Sequence, residues 1–240
     1  MKTNIPIFIA KEITAGYGEQ VIIRNINLEL YESTITTIIG PNGCGKSTFL
    51  KSISGIIKPF EGNVIINDIE VTSLNTFELS KIGLGYVPQS ENIFSSLSVI
   101  DNLKMGGYIL DNKKYKINLN KVLEMFPDLK SRLFDSASNL SGGQRQMLAL
   151  SRALMLDPKI IMLDEPTAGL SPVIVDEVLD NIISLRKSNI TVLLVEQNAK
   201  KALSISDNGV VFSFGEKVIE DNAKNILQNK QISKLYLGGH

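Results

Sequence analysis

The sequence has one cysteine, Cys44, one histidine, His240, and no tryptophan among its 240 residues. A lone thiol cannot close an internal disulfide, so the fold rests on noncovalent packing, and a reducing cytoplasm fits this usage. Neither sign of charge is in excess, with 25 Lys and Arg against 25 Asp and Glu. Nucleic-acid binders draw much of their affinity from a basic surplus, so no nucleic-acid partner is expected. No apolar run approaches the ~18 residues that a membrane-crossing helix needs. The stretch from Ile5 to Ala10 is broken by Pro6 and followed by Lys11-Glu12, too short and wrongly flanked for a signal peptide. Internal repeats, low-complexity tracts and Ser/Gly linkers are also missing.

What is present is an ordinary globular balance, 43% hydrophobic and 21% charged residues, which excludes disordered and collagen-like chains. The length makes one large domain, or a core with an inserted lobe. Short β-like runs come first: Ile7 to Thr14, Val21 to Leu30 and Thr34 to Ile39. A helix follows with Phe49, Leu50 and Ile53 on one face, and Gly55 is its expected stop. Asn67-Asp68 reads as a turn between two further strands. From about residue 90 to 156 the pattern is helical, an expected lobe inserted between core segments 1–89 and 157–240. Ile160 to Leu163 and Ile190 to Val195 are continuous apolar strands, the signature of a parallel sheet covered on both faces. Between them Ser171 is expected to cap a helix with Pro172 at its first position and Val175, Val178, Leu179 and Ile182 inward. A hairpin is expected around Gly215-Glu216.

Between a strand and a helix lies Gly40-Pro41-Asn42-Gly43-Cys44-Gly45-Lys46-Ser47-Thr48, a match to G-x-x-x-x-G-K-[ST]. Glycines let the backbone curl so that its N–H groups converge on phosphate oxygens, and the helix adds its positive end. Lys46 would reach the β- and γ-phosphates, and Ser47 would offer a hydroxyl to Mg²⁺. The bland alternative, a glycine turn before a helix, does not account for the flanking strand and helix together. Cys44 reads as a small buried thiol rather than a redox group.

The strand from Ile160 ends in Asp164-Glu165. Successive side chains on a strand point to opposite sides, so the two carboxylates can do separate work. Asp164 would hold Mg²⁺, and Glu165 would orient and deprotonate a water. Earlier in the chain, Leu140-Ser141-Gly142-Gly143-Gln144 opens a helical run. Ser141 and Gln144 form a capping box there, but a capping box alone does not explain two glycines in a first helical turn.

LSGGQ followed by the strand MLDEPT resembles the ABC ATPase family, and the resemblance runs from about Ile13 to Leu237. It implies a P-loop (RecA-like) α/β core with a mostly parallel sheet, an N-terminal antiparallel β subdomain and an inserted helical lobe. It implies ATP and Mg²⁺ as ligands. Tyr17 would stack on adenine, residues 40–48 would hold the phosphates, and Ser47, Gln89 and Asp164 would meet the metal. Glu165 would be the base, assisted by Gln89. Ser141, Gly142, Gly143 and Gln144 would close on nucleotide held by another subunit in a head-to-tail dimer. Ile93, Phe94 and Leu97 would lie near the groove receiving a membrane subunit, or fill the lobe's core.

Two positions depart from the family pattern: Gln197 stands where a histidine is usual, and Ser171 where an aspartate is typical. Either the subunit turns over slowly or Glu165 suffices as base. The string Val195-Glu196-Gln197-Asn198-Ala199, with the tail Tyr236-Leu237-Gly238-Gly239, resembles one ATP-binding subunit of branched-chain amino acid importers. That implies a peripheral protein on the cytoplasmic face of the membrane. Its partners would be a second ATP-binding subunit, permeases and an external solute-binding protein. A non-transport ABC ATPase and a catalytically weak ATP-gated clamp are the alternatives.

Overall fold

A computed structural model describes residues 5–90, 92–229 and 232. Two sheets form the frame. The first is antiparallel, in the order β2-β1-β4-β5, from β1 Phe8–Tyr17, β2 Gln20–Leu30, β4 Glu61–Ile66 and β5 Ile69–Glu70. The second has six strands in the order β10-β9-β3-β8-β7-β6, from β3 Ile35–Ile39, β6 Leu84–Val87, β7 Ile160–Asp164, β8 Thr191–Val195, β9 Asn208–Ser213 and β10 Glu216–Asn222. Only the β9–β10 pairing in it is antiparallel.

Burial explains the difference between the sheets. Every residue of β3, β7 and β8 is buried, so both faces must be covered and the strands read as unbroken apolar runs. The second half of β2 alternates buried with exposed residues, as suits a sheet with one wet face. Asn67 and Asp68 both adopt positive φ, the conformation a two-residue hairpin requires.

Helix α1, Lys46–Ile53, and α2, Thr76–Lys81, flank the β4–β5 hairpin. After α1 the chain turns at Gly55 with φ +73°, where a Cβ would stand 2.7 Å from the Leu74 carbonyl oxygen. Residues 99–154 then supply helices α3 Val99–Gly106, α4 Asn112–Met125, α5 Pro127–Lys130 and α6 Gly142–Leu154, with a short 3₁₀ turn before α6. Their apolar faces join Val87, Ile161, Leu163, Val192 and Leu194 of the sheet in one continuous core. α7, Pro172–Lys187, packs into the same core through Val175, Val178, Leu179, Ile182 and Leu185. α8, Ala199–Ser204, and α9, Ala223–Gln228, close a smaller cluster beside β9. Among the described residues no helix is long and apolar enough to cross a membrane.

Two local expectations need correction. Ser171 does occupy the position before α7, but its side chain makes no capping hydrogen bond. Pro172 at the first helical position supplies no N–H, so the first turn has one fewer orphan amide to satisfy. The β9–β10 turn is centred on Phe214-Gly215, one residue earlier than expected, with both residues at positive φ. The tail Tyr236 to Gly239 and His240 lie outside the described residues.

One buried amide organises the approach to α3. Asn102 is fully buried; its Oδ1 accepts from the Phe94 N–H at 2.8 Å. Its Nδ2 donates to the carbonyls of Phe94 and Ser98 at 2.9 and 3.0 Å. Phe94 is thereby held half-exposed, with the Arg152 guanidinium 4.5 Å above its ring. Ile93 packs against the core instead, as the core-filling reading expects of it. Asn102→Ala orphans the Phe94 N–H, and denaturant unfolding is expected to show a loss of about 2 kcal/mol or more.

Candidate functional site

Three buried strands end at one level. Ile38 on β3 pairs with Val195 on β8, and Val195 pairs with Asp164 on β7. The loops leaving these carboxyl ends carry the glycine loop, the paired acids and Gln197, which is where open parallel sheets bind ligands.

The glycine loop follows the end of β3 and is packed against β2. At Gly45 the backbone takes φ +100°, and an added Cβ would fall 2.4 Å from Ile23 Cγ2. α1 starts immediately after, with no side chain capping it, so its first amides remain available to an anion. Lys46 is buried, and its Nζ donates to the carbonyls of Gly40 and Pro41 at 2.9 and 3.1 Å. The loop thus stores a cation against its own carbonyls. Cys44 points away into the core, and burial pushes its thiol pKa up. Its N–H donates to Pro41 and its carbonyl accepts from Gly215, so Cys44 braces the loop.

Behind the loop, Ser47 Oγ donates to Asp164 Oδ1 at 2.9 Å. The Tyr86 hydroxyl lies 3.4 Å from Asp164 Oδ2. Burial first, and then the Asp164 charge, drive the Tyr86 pKa upward, so it stays a donor. Asp164 is itself buried, which raises its pKa, while Ser47 and then Lys51 pull the other way. Glu165 leaves β7 in a left-handed conformation, φ +46°, uncommon for a side-chain-bearing residue and a form of strain that concentrates at functional sites. Its Oε2 accepts from Gln89 Nε2 at 2.9 Å. Burial raises the Glu165 pKa, Lys46 opposes this, and the Asp164 charge adds to it.

A cleft of about 530 Å³ opens here, with Ser47 and Glu165 in its lining, while Asp164 and Tyr86 are not among its lining residues. The loop residues Asn42, Gly43, Gly45, Lys46, Ser47 and Thr48 line it, with Tyr17 at the end of β1 and Gln89, Glu165 and Gln197 across from them. Gly40, Pro41 and Cys44 are not among its lining residues; they shape the loop from behind. A second cleft, of about 500 Å³, opens at the other ends of β7 and β8 and contains none of the motif residues.

The tip at 141–144 does not line the cleft of its own chain. Ser141 Oγ accepts from the Gln144 N–H at 3.3 Å, and Gln144 Oε1 accepts from the Ser141 N–H at 3.0 Å. The Gln144 side-chain oxygen is therefore engaged by the cap in this structure. The paired glycines have a packing reason as well: Cβ atoms there would come within 2.9 Å of Leu170 at Gly142 and 2.7 Å of Ile174 at Gly143.

Sequence reasoning overlooked two members of the site, Tyr86 and Glu196. Glu196 is 2% exposed, and its two oxygens accept from the N–H groups of Thr167 and Gln197. The only signal for Glu196 was an acid directly following a strand that is apolar except for Thr191. Gly45→Ala is expected to keep the helical circular-dichroism signal yet abolish the thermal shift that Mg-ADP gives the parent chain. A shift of equal size would show that the left-handed turn is dispensable.

The family described as ABC transporter matches residues 23–168. The probable branched-chain amino acid transport ATP-binding protein LivF of Archaeoglobus fulgidus is 40% identical over 228 residues, 95% of this chain and 97% of LivF. The lipopolysaccharide export system ATP-binding protein LptB of Escherichia coli is 32% identical over 231 residues, 95% of this chain and 96% of LptB. Among solved structures, the ADP conformation of MJ1267, an ATP-binding cassette of an ABC transporter, superposes with a TM-score of 0.88 at 27% identity, covering 98% of this chain and all of that one. A dimeric post-hydrolysis state of the cassette MJ0796, bound to ADP and Pi, gives 0.77 at 28% identity, covering 92% of this chain and 99% of that one. A cleft lined by the glycine loop on this frame and likeness over nearly the whole length agree: the chain belongs to the ABC transporter family, as an ATP-binding subunit that hydrolyses ATP.

Proposed function

We propose that this subunit drives import of branched-chain amino acids or similar small polar solutes. It would act as a peripheral protein on the cytoplasmic face of a membrane, with permeases, a second ATP-binding subunit and an external solute-binding protein. The observation that carries the substrate class is the 40% identity with LivF across 95% of the chain, against 32% with LptB. That second likeness supports export as the competing direction.

Within the site, Tyr17 offers its ring to adenine, and the free amides opening α1 face the phosphates. Lys46 leaves the carbonyls of Gly40 and Pro41 for the β- and γ-phosphates, exchanging two neutral acceptors for charged ones. Ser47 and Asp164 present a hydroxyl and a carboxylate 2.9 Å apart, hard oxygens suited to Mg²⁺. Gln89 would add its amide oxygen. When bound, that ion neutralises charge on the phosphates. Glu165 accepts the proton of the attacking water, and Gln89, already bonded to it, fixes its direction. Gln197 can hydrogen-bond a phosphate or the water but cannot take up a proton. Ser141, Gly142 and Gly143 would complete the site of the second subunit, whose own tip would complete this one; the dimeric state of the similar cassette MJ0796 supports the pairing of two such subunits.

Glu165→Gln is expected to lower turnover at this site by about 10²-fold or more while leaving the Mg-ADP thermal shift intact. Unchanged turnover would remove Glu165 as the base. Because the Glu165 pKa is raised, the active carboxylate is lost as pH falls through that raised value. The acid limb of the kcat/KM profile, which reports the free enzyme, should accordingly lie above the ordinary glutamate range. An affinity tag on this chain should recover integral membrane proteins from detergent extracts. In proteoliposomes holding that complex, leucine, isoleucine or valine plus the binding protein, added from outside, should stimulate ATP hydrolysis. Stimulation only by a substrate supplied from the cytoplasmic side would favour export.

A further inference from the structure

Glu196 sits between the two segments that must respond to the terminal phosphate. Its carboxylate is buried, and no Lys or Arg forms an ion pair with it among the described residues. Oε1 accepts from the Thr167 N–H at 2.9 Å, and Oε2 accepts from the Gln197 N–H at 3.1 Å. The Glu196 N–H donates to the Ile38 carbonyl at 3.3 Å, so the residue is also fixed to β3, two positions before the glycine loop.

Thr167 belongs to a tight turn suspended from Glu165. The Ala168 N–H donates to the Glu165 carbonyl at 3.1 Å, and the Leu170 N–H to the Thr167 carbonyl at 3.2 Å. The turn therefore cannot shift without pulling on the strained backbone of Glu165. Burying an uncompensated carboxylate costs several kcal/mol, and packing alone would be served better by an apolar side chain. What only a carboxylate provides here is two acceptors facing two N–H groups. An amide of identical shape has one acceptor and turns an NH₂ towards the other N–H.

We propose that Glu196 is a positioning residue: a two-armed strap that holds Gln197 and the turn carrying Glu165 as one unit, so that both take up their working places together. The proposal rests on Glu165 and Gln197 acting in hydrolysis, and Glu196 itself is not among the residues that line the cleft.

The test uses the complex purified through this chain, with Glu196→Gln, Glu196→Asp and Glu165→Gln compared in parallel. Glu196→Gln is expected to lower kcat by about tenfold or more, as an orphaned buried N–H does when its cost falls on the transition state. KM for ATP should stay within about twofold, the pattern of an interaction realised after binding. Amide hydrogen exchange should quicken at both Thr167 and Gln197. Glu196→Asp keeps two acceptors and should recover part of the turnover. Turnover of Glu196→Gln within about twofold of the parent overturns the strap. So does equal turnover of the two Glu196 variants, or a fall in kcat matched by loss of the melting transition, which would mark a merely structural carboxylate. Unchanged turnover in Glu165→Gln overturns the assignment of the base and the strap with it. Loss in Glu165→Gln without loss in Glu196→Gln overturns the strap alone.

Discussion

The alignment of β3, β8 and β7 sets everything chemical in this protein. Register places Ile38, Val195 and Asp164 side by side, so three loops far apart in sequence leave the sheet at one edge. A slip of one residue in any of these strands would turn its side chains to the other face and carry Asp164 away from Ser47. The strands hold register because all three are buried on both faces between two apolar clusters. Packing energy that specifies the sheet therefore also specifies the distances in the site. The antiparallel sheet contributes at its margin, where β1 brings Tyr17 and β2 brings Ile22 to the same cleft.

Within that frame the charged groups satisfy one another in ways nucleotide binding would rearrange. Lys46 lies on the carbonyls of Gly40 and Pro41, Ser47 donates to Asp164, and Gln89 donates to Glu165. Each is a hydrogen bond between groups assigned to the phosphates, the metal or the water. Their mutual pairing avoids the penalty of burying unpaired polar atoms. The same pairing prepositions them, because a side chain already ordered pays less entropy when its partner changes.

Local motifs were legible in the sequence because their physics is local. The glycine loop, the capping box of Ser141 and Gln144, the turn at Asn67-Asp68 and the stop at Gly55 depend on residues within a few positions of one another. The core positions of α7 followed from helical period for the same reason. What escaped depends on contacts across long separations. Glu196 meets Thr167 from 29 positions away, and Tyr86 meets Asp164 from 78. The packing reason for Gly142 and Gly143 comes from Leu170 and Ile174, which no local rule places beside them. Ser171 misled because its residue type suits a cap while Pro172 had already removed a donor beside it.

The acids of the site show how function is set against stability. Asp164, Glu165 and Glu196 all have carboxyl pKa values raised by burial. None belongs to an ion pair among the described residues. A carboxyl whose folded pKa exceeds its unfolded value is protonated more readily in the folded chain. Its contribution to stability therefore declines as pH rises from the unfolded value through the folded one. At neutral pH the fold bears three such contributions, all at the carboxyl ends of β7 and β8. A chain selected for stability alone would have no reason to put acids there. The proposed roles would give the same arrangement a reason: beside a triphosphate and its ion Asp164 would gain a cation, Glu165 would keep a basicity matched to taking a proton from water, and Glu196 would hold the Glu165 turn beside Gln197.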